Sequence, residues 1–228
     1  MDQKSFSRFD YFKHPRRKRV MDYQNTAFIF IGYQNDYFSE TGILRAVIEE
    51  ADRTGHILDN TRSLLGSLQD KESLLIQTPI IFTEDYRELV NPVGILKSIK
   101  QARAFQRGSD GAECISAFQA YGDRIKTLEG KRGLNAFSNT ELDRELEQHN
   151  ISHVVLAGAV TSICIDSTGR AAHERGYRVT ILSDCTASRT PEEQRFYCEN
   201  IFPLYAEVTD HRALMESLEV LEACEPSC

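Results

Sequence analysis

The stretch from Ser152 to Gly176, SHVVLAGAVTSICIDSTGRAAHERG, constrains this chain most. Val154 to Gly158 is an unbroken run of apolar and small residues with two valines, as a strand buried on both faces of a parallel sheet requires. A helix is expected immediately after it. Thr161 is a candidate N-cap, Ile165, Thr168, Ala171 and Ala172 recur at helical spacing, and Gly176 stands where a left-handed residue closes a helix. Cys164 then falls in the first helical turn, where free backbone N–H groups and the positive end of the helix dipole favour a thiolate. A cysteine behind a buried strand also serves as a small core hydrophobe, so spacing alone leaves Cys164 open between nucleophile and core.

The rest of the chain repeats the strand-then-helix pattern. Thr26 to Ile31, TAFIFI, is a second continuous apolar run, bounded by Gly32 and followed by the exit loop GYQNDYFSETG. Helical spacing then runs from Leu44 to about Leu68, and Ser73 to Ile81 is a strand that Pro79 should end, because proline cannot donate to a central ladder. Between Pro79 and Gly108 the pattern is irregular, as expected of a segment that lines or covers a site. Arg124 to Leu128 is a short third strand, and Ser138 to Glu141, SNTE, matches a capping box opening a helix that carries Leu142 and Leu146. Arg178 to Ser183 is a fifth strand ending at Asp184; Pro191 opens a helix, Leu204 to Val208 is a last strand, and His211 to Leu221 a closing helix.

Strands alternating with helices predict an α/β fold: a doubly wound, mostly parallel six-stranded sheet with helices on both faces, a Rossmann-like three-layer sandwich. Ligands bind such sheets at the carboxyl ends of the strands. The 228 residues suit one such core, over residues 26–220, preceded by a basic arm (1–25) and followed by a short polar tail (221–228).

Charge and cysteine usage exclude several function classes. The formal net charge of −7 gives the body no pull towards nucleic acid or an anionic membrane, and the basic run Lys13 to Arg19 is read as a solvated arm. No stretch is long and apolar enough to span a bilayer, and the N-terminus carries no signal-peptide core, so a cytoplasmic location is expected. The six cysteines (Cys114, Cys164, Cys185, Cys198, Cys224 and Cys228) form no CxxC pair, which speaks for reduced thiols over a zinc site or a disulfide framework. No cofactor is implied.

Three segments are expected to meet at the carboxyl edge: the Gly32 to Asp36 loop, the Lys131 turn and the Cys164 turn. Lys131 is either a solvated surface lysine or a cleft cation that favours a thiolate and steadies oxyanion charge beside turn N–H groups. Gln34 and Asn135 either orient a substrate carbonyl or bond the turns they occupy.

These residues resemble the isochorismatase-like cysteine hydrolases, a family that includes nicotinamidases and carbamoylsarcosine amidases. The resemblance covers about Thr26 to Leu218 and is carried by TAFIFIGYQNDYF, GSDGAE at Gly108 to Glu113, GKRGLNAFSNTEL at Gly130 to Leu142, and LAGAVTSICIDSTGRAAHERGY at Leu156 to Tyr177. It implies Cys164 as nucleophile, Lys131 as the cleft lysine, and a cis peptide between Ala159 and Val160 that shapes an oxyanion hole with the N–H groups near Cys164. It also implies a small-molecule substrate and association into a homodimer or larger oligomer.

One departure is chemical. The family's catalytic aspartate, which carries protons between thiol and leaving amine, stands where this chain has Gly32. Candidate replacements are Glu84 and Asp85 beyond the second strand, and Asp36, whose other reading is a residue that ties down its own loop. The aspartate and histidine cluster that holds a metal in nicotinamidases has no histidine in TPIIFTEDY here, so no metal is expected. The leading functional reading is a cysteine-dependent hydrolase of a small amide, ester or related carbonyl compound. Its alternatives are a catalytically silent relative that binds a small metabolite, and a thiol redox or acyl-transfer protein.

Overall fold

The computed structural model describes residues 22–48 and 51–222; the basic run Lys13 to Arg19 and the cysteines Cys224 and Cys228 lie outside them. Six strands form one sheet: β1 (Thr26–Ile31), β2 (Leu74–Thr78), β3 (Lys126–Thr127), β4 (His153–Ala159), β5 (Arg178–Ala187) and β6 (Glu207–Thr209). Their order is β3-β2-β1-β4-β5-β6, and every pairing is parallel. The helices are α1 (Asn35–Phe38), α2 (Ala51–Leu68), α3 (Gly94–Ala102), α4 (Ser116–Gln119), α5 (Leu142–Gln148), α6 (Asp166–Glu174), α7 (Pro191–Phe196) and α8 (His211–Glu222).

The two apolar runs of the sequence become the two central strands, and all residues of β1 and β4 are buried because helices cover both faces. Alternate side chains supply the two cores. Phe28 and Phe30 of β1 pack with Val155 and Ala157 of β4 against Leu64, Leu65 and Leu68 of α2 and Leu214 and Leu218 of α8. Ala27, Ile29 and Ile31 pack with Val154 and Leu156 against Leu142 and Leu146 of α5 and Ala171 and Ala172 of α6. Strand order reverses at the β1/β4 boundary, so the loops leaving these two strands diverge at the carboxyl edge. Ile31 pairs with Gly158 there, so tightly that a Cβ on Gly158 would lie 1.9 Å from the Ile31 carbonyl oxygen.

Several boundaries differ from the sequence expectation, each for a local reason. β2 stops at Thr78, before Pro79, and β3 shrinks to two exposed residues at the sheet edge, where pairing on one side leaves little to hold a longer strand. The expected SNTE capping box does not form: α5 begins at Leu142, and Thr140 Oγ1, not Ser138, accepts the Leu142 N–H at 3.2 Å. The last strand is Glu207–Thr209, because Phe202 to Leu204 winds into a 3₁₀ turn around Pro203. β5 runs on to Ala187 through an irregularity. Leu156 pairs with Ile181 but Gly158 with Thr186, so five residues of β5 advance against two of β4. That insertion defeats any reading by alternation, and it carries the end of β5 up beside Ala159.

Candidate active site

The segment after β4 does not start as an ordinary helix. Thr161 to Ile165 winds as one π-helical turn before α6 begins at Asp166, and Thr161 is its first residue, not a cap. The Val160 carbonyl accepts the N–H groups of Ile163 at 3.0 Å and Ile165 at 3.2 Å, but not that of Cys164 between them. Such wide turns recur at functional sites because they displace a side chain from the regular helical path. The Thr161 hydroxyl donates to Gln194 Oε1 at 2.6 Å, and Gln194 Nε2 donates to Ser183 O at 2.9 Å and Thr186 Oγ1 at 3.0 Å, so α7 and β5 hold the turn from outside. The peptide between Ala159 and Val160 is cis, as the resemblance implied.

Cys164 is 3% exposed and Lys131 is 0% exposed. A lysine buried so completely is unusual, and this one is explained by its partners. Its Nζ donates to Gly133 O at 2.8 Å and lies 3.6 Å from Cys164 Sγ. Burial pushes the ammonium below its ordinary range, while the sulfur's charge and hydrogen bond oppose that shift. The loop carrying Lys131 is docked on α6 by Ala136 N, which donates to Thr168 Oγ1 at 3.0 Å. Lys131 and Cys164, 33 residues apart in the chain, thus form one buried, hydrogen-bonded pair.

The exit loop of β1 is built for rigidity. Gln34, 0% exposed, donates from Nε2 to Ile80 O and Ala112 O and accepts the Ile80 N–H at Oε1, at 2.7–2.8 Å. With Nε2 and Oε1 both bonded to backbone, Gln34 serves as a strut, the turn-bonding one of the two roles expected for it, and not as a substrate-orienting group. Asp36 is likewise fixed: it accepts the Phe105 N–H at 2.6 Å and packs so closely on Gly111 that any side chain there would collide with it. This agrees with the loop-tying reading of Asp36. Asn135 Oδ1 accepts the Phe137 N–H at 2.9 Å and so also bonds its own turn.

Glu84 and Asp85 do not reach the sulfur. Both are exposed and line, with Thr83, Arg87 and Arg103, a surface hollow that contains neither Cys164 nor Lys131. The Thr83 hydroxyl and the Arg87 N–H both donate to Asp85 and hold its carboxyl below the usual range.

The backbone at Gly32 is itself closely confined. Its φ of +72° is left-handed, and a Cβ added there would lie 2.8 Å from the Ala159 carbonyl oxygen. Any side chain at this position is therefore strained, both by the left-handed φ and by the Ala159 carbonyl. Beyond the neighbours in the chain, the nearest side chain to that vacant Cβ position is Tyr37, whose Cδ2 and Cε2 lie 3.6 Å away. Sequence reasoning passed over Tyr37, since its place in a one-turn helix gives no periodic signal.

Among the described residues one group carries three potential metal-ligand atoms within 4.8 Å: Asp184, Cys185 and His211. Asp184 accepts both the His211 backbone N–H at 3.0 Å and its ring Nδ1–H at 2.5 Å, so it caps α8 and ties it to β5.

A family model described as the isochorismatase domain matches residues 26–213, most of the chain. The chain belongs to the isochorismatase family. Among its relatives, the uncharacterised isochorismatase family protein YwoC of Bacillus subtilis is 26% identical over 184 residues, covering 80% of this chain and 88% of its own. The ureidoacrylate amidohydrolase RutB of Cronobacter sakazakii is 24% identical over 208 residues, covering 86% and 89%. The crystal structure of a cysteine hydrolase from Pseudomonas syringae pv. phaseolicola superimposes with a TM-score of 0.76 at 22% identity, over 88% of this chain and 95% of that one. The isochorismatase fold is therefore common to both chains, with its parallel sheet and its loops at the carboxyl edge. No described helix is long and apolar enough to cross a membrane.

Proposed function

We propose that this chain is a cysteine-dependent hydrolase of a small amide, ester or related carbonyl compound. The observation that carries the reading is the buried pair of Lys131 Nζ and Cys164 Sγ at 3.6 Å. Two ionisable groups taken out of water together are costly unless each stabilises the other's charge, and a thiolate facing an ammonium is a nucleophile held ready. Cys164 attacks the substrate carbonyl carbon, forming a C–S bond and placing charge on the carbonyl oxygen. Backbone N–H groups of the turn after the cis peptide and the Lys131 ammonium face that charge. Collapse expels the alcohol or amine and leaves a thioester, which water hydrolyses to regenerate the thiolate. The relative that acts as a ureidoacrylate amidohydrolase supports the amide class.

The closed position at Gly32 favours a second reading, in which the pocket is kept but amide cleavage is lost and the protein binds a small metabolite. Alkylation by iodoacetamide separates the two. The hydrolase reading expects Cys164 to react fastest of the cysteines at neutral pH, and Lys131→Ala to slow it about tenfold, an effect of about 1.4 kcal/mol on the thiolate. A Cys164 no more reactive than Cys114 or Cys198, and indifferent to Lys131, would leave ligand binding as the function.

A further inference from the structure

A cysteine hydrolase whose substrate loses an amine must carry a proton to the leaving nitrogen, and Gly32 removes the carboxylate that would do so. Glu84 and Asp85 are on the surface, and Asp36 is spent on the Phe105 N–H. What lies over Gly32 is Tyr37, at 3.6 Å from the absent Cβ, and that absent Cβ lies 2.8 Å from the Ala159 carbonyl of the turn that carries Cys164. Tyr37 is 1% exposed, and its ring tilts against Phe105 with centroids 5.1 Å apart. Packing thus fixes the ring, yet no hydrogen bond to a described residue occupies the hydroxyl.

We propose that the Tyr37 hydroxyl is the proton shuttle of this site, standing in for the carboxylate that Gly32 lacks. The proposal rests on the hydrolase reading and assigns its missing step. In acylation the C–S bond forms, the C–N bond breaks, and the leaving nitrogen takes the phenolic proton, leaving phenolate. In deacylation water gives a proton to the phenolate, its oxygen bonds the acyl carbon, and the C–S bond breaks to return the thiolate. The sum is amide plus water to acid plus amine, with Tyr37 and Cys164 restored.

The electrostatics suit this cycle. Burial raises the phenol well above its usual range, and charge on Cys164, then on Asp36, raises it further. While sulfur is anionic Tyr37 therefore keeps its proton. Acylation neutralises the sulfur and so removes that opposing charge as the phenol gives up its proton. The charge of Cys164 acts on Lys131 as well, there raising the pKa against the effect of burial.

The test compares p-nitrophenyl acetate, followed in the pre-steady state, with p-nitroacetanilide as substrates of the wild type, Tyr37→Phe and Cys164→Ser. p-Nitrophenolate leaves without a proton, so acylation of Tyr37→Phe should still give a stoichiometric burst. The ester leaves the phenol protonated in the wild type too, so its steady turnover should change little, whereas release of p-nitroaniline, whose nitrogen must take the phenolic proton, should fall about a hundred- to ten-thousandfold. Phenylalanine keeps the buried ring and removes only an unpaired hydroxyl, so an unchanged thermal midpoint checks folding. Anilide turnover equal to that of the wild type overturns the assignment in favour of Lys131 as proton carrier, and a wild type that cleaves the ester but not the anilide overturns it as well, since no amine is then expelled for Tyr37 to protonate. Loss of the burst itself in a folded Tyr37→Phe also overturns it, because the hydroxyl then serves acylation and not proton transfer. If the wild type shows no burst that Cys164→Ser abolishes, the hydrolase reading falls first and the shuttle with it.

Discussion

Two loops leave adjacent parallel strands at the same sheet edge and have opposite characters. After β4 the chain passes a cis peptide, widens into a π turn and presents Cys164 to a buried lysine. After β1 it makes a left-handed glycine, and Gln34 and Asp36 are both committed to backbone partners. The first loop holds unused chemical capacity; the second has nearly all its polar groups satisfied internally. Position at the carboxyl edge makes a loop available for chemistry, but whether its polar atoms are free decides whether it performs any.

Substitutions that exchange these characters test the contrast. The largest effect is expected from Cys164→Ser, which should lower hydrolysis of an activated ester by at least about a thousandfold at unchanged thermal stability, since a buried hydroxyl beside Lys131 is a far weaker nucleophile. Retained turnover in that variant would place the chemistry outside the β4 loop. Gln34→Ala should reverse the pattern. It removes three buried hydrogen bonds and leaves the Ile80 and Ala112 backbone groups unpaired, a loss of about 3–4 kcal/mol in urea unfolding. A loss under 1 kcal/mol would show the β1 loop to be less rigidly tied than its bonds indicate.

Gly32→Asp is a sharper probe, because it supplies the carboxylate that the proposed chemistry lacks at this position. With φ at +72° and the Ala159 oxygen 2.8 Å from the new Cβ, it should cost about 2–3 kcal/mol and recover no activity. A gain in turnover would mean that the loop relaxes readily to another conformation. The smallest effect is that of Lys131→Ala on thiol alkylation. Its roughly tenfold slowing at neutral pH should shrink as pH rises, because in alkaline solution the thiolate forms without help from a cation. A loss that stayed constant with pH would mean that Lys131 positions the thiol without stabilising its charge.

Much of this architecture was legible from residues alone. TAFIFI and the Val154 to Gly158 run were buried central strands because nothing but a two-sided core accommodates such runs, and Gly176 closed α6 with φ at +89°. Pro191 opened α7 with Thr190 as its cap, the Thr190 hydroxyl accepting the Glu193 N–H at 3.2 Å. The edge strands were less legible, because β3 and β6 rest on single-sided pairing and not on their own composition. Nor did alternation foresee the insertion in β5, since a bulge breaks the very period by which a strand is recognised.

For the site the division is similar. Spacing brought Cys164 to the start of a helix and left Lys131 undecided between surface and cleft. A lysine's burial depends on what folds over it, and only tertiary structure put it 3.6 Å from the sulfur with 0% exposure. The sequence showed that residue 32 lacks a carboxylate, because a side chain's absence is a covalent fact. That the backbone there is left-handed, closed against Ala159 and overlain by Tyr37 was decided by packing between segments far apart in the chain. Local composition determines which strands and helices form and which chemical groups exist. Non-local packing determines which of those groups are desolvated together, and reactivity follows from that.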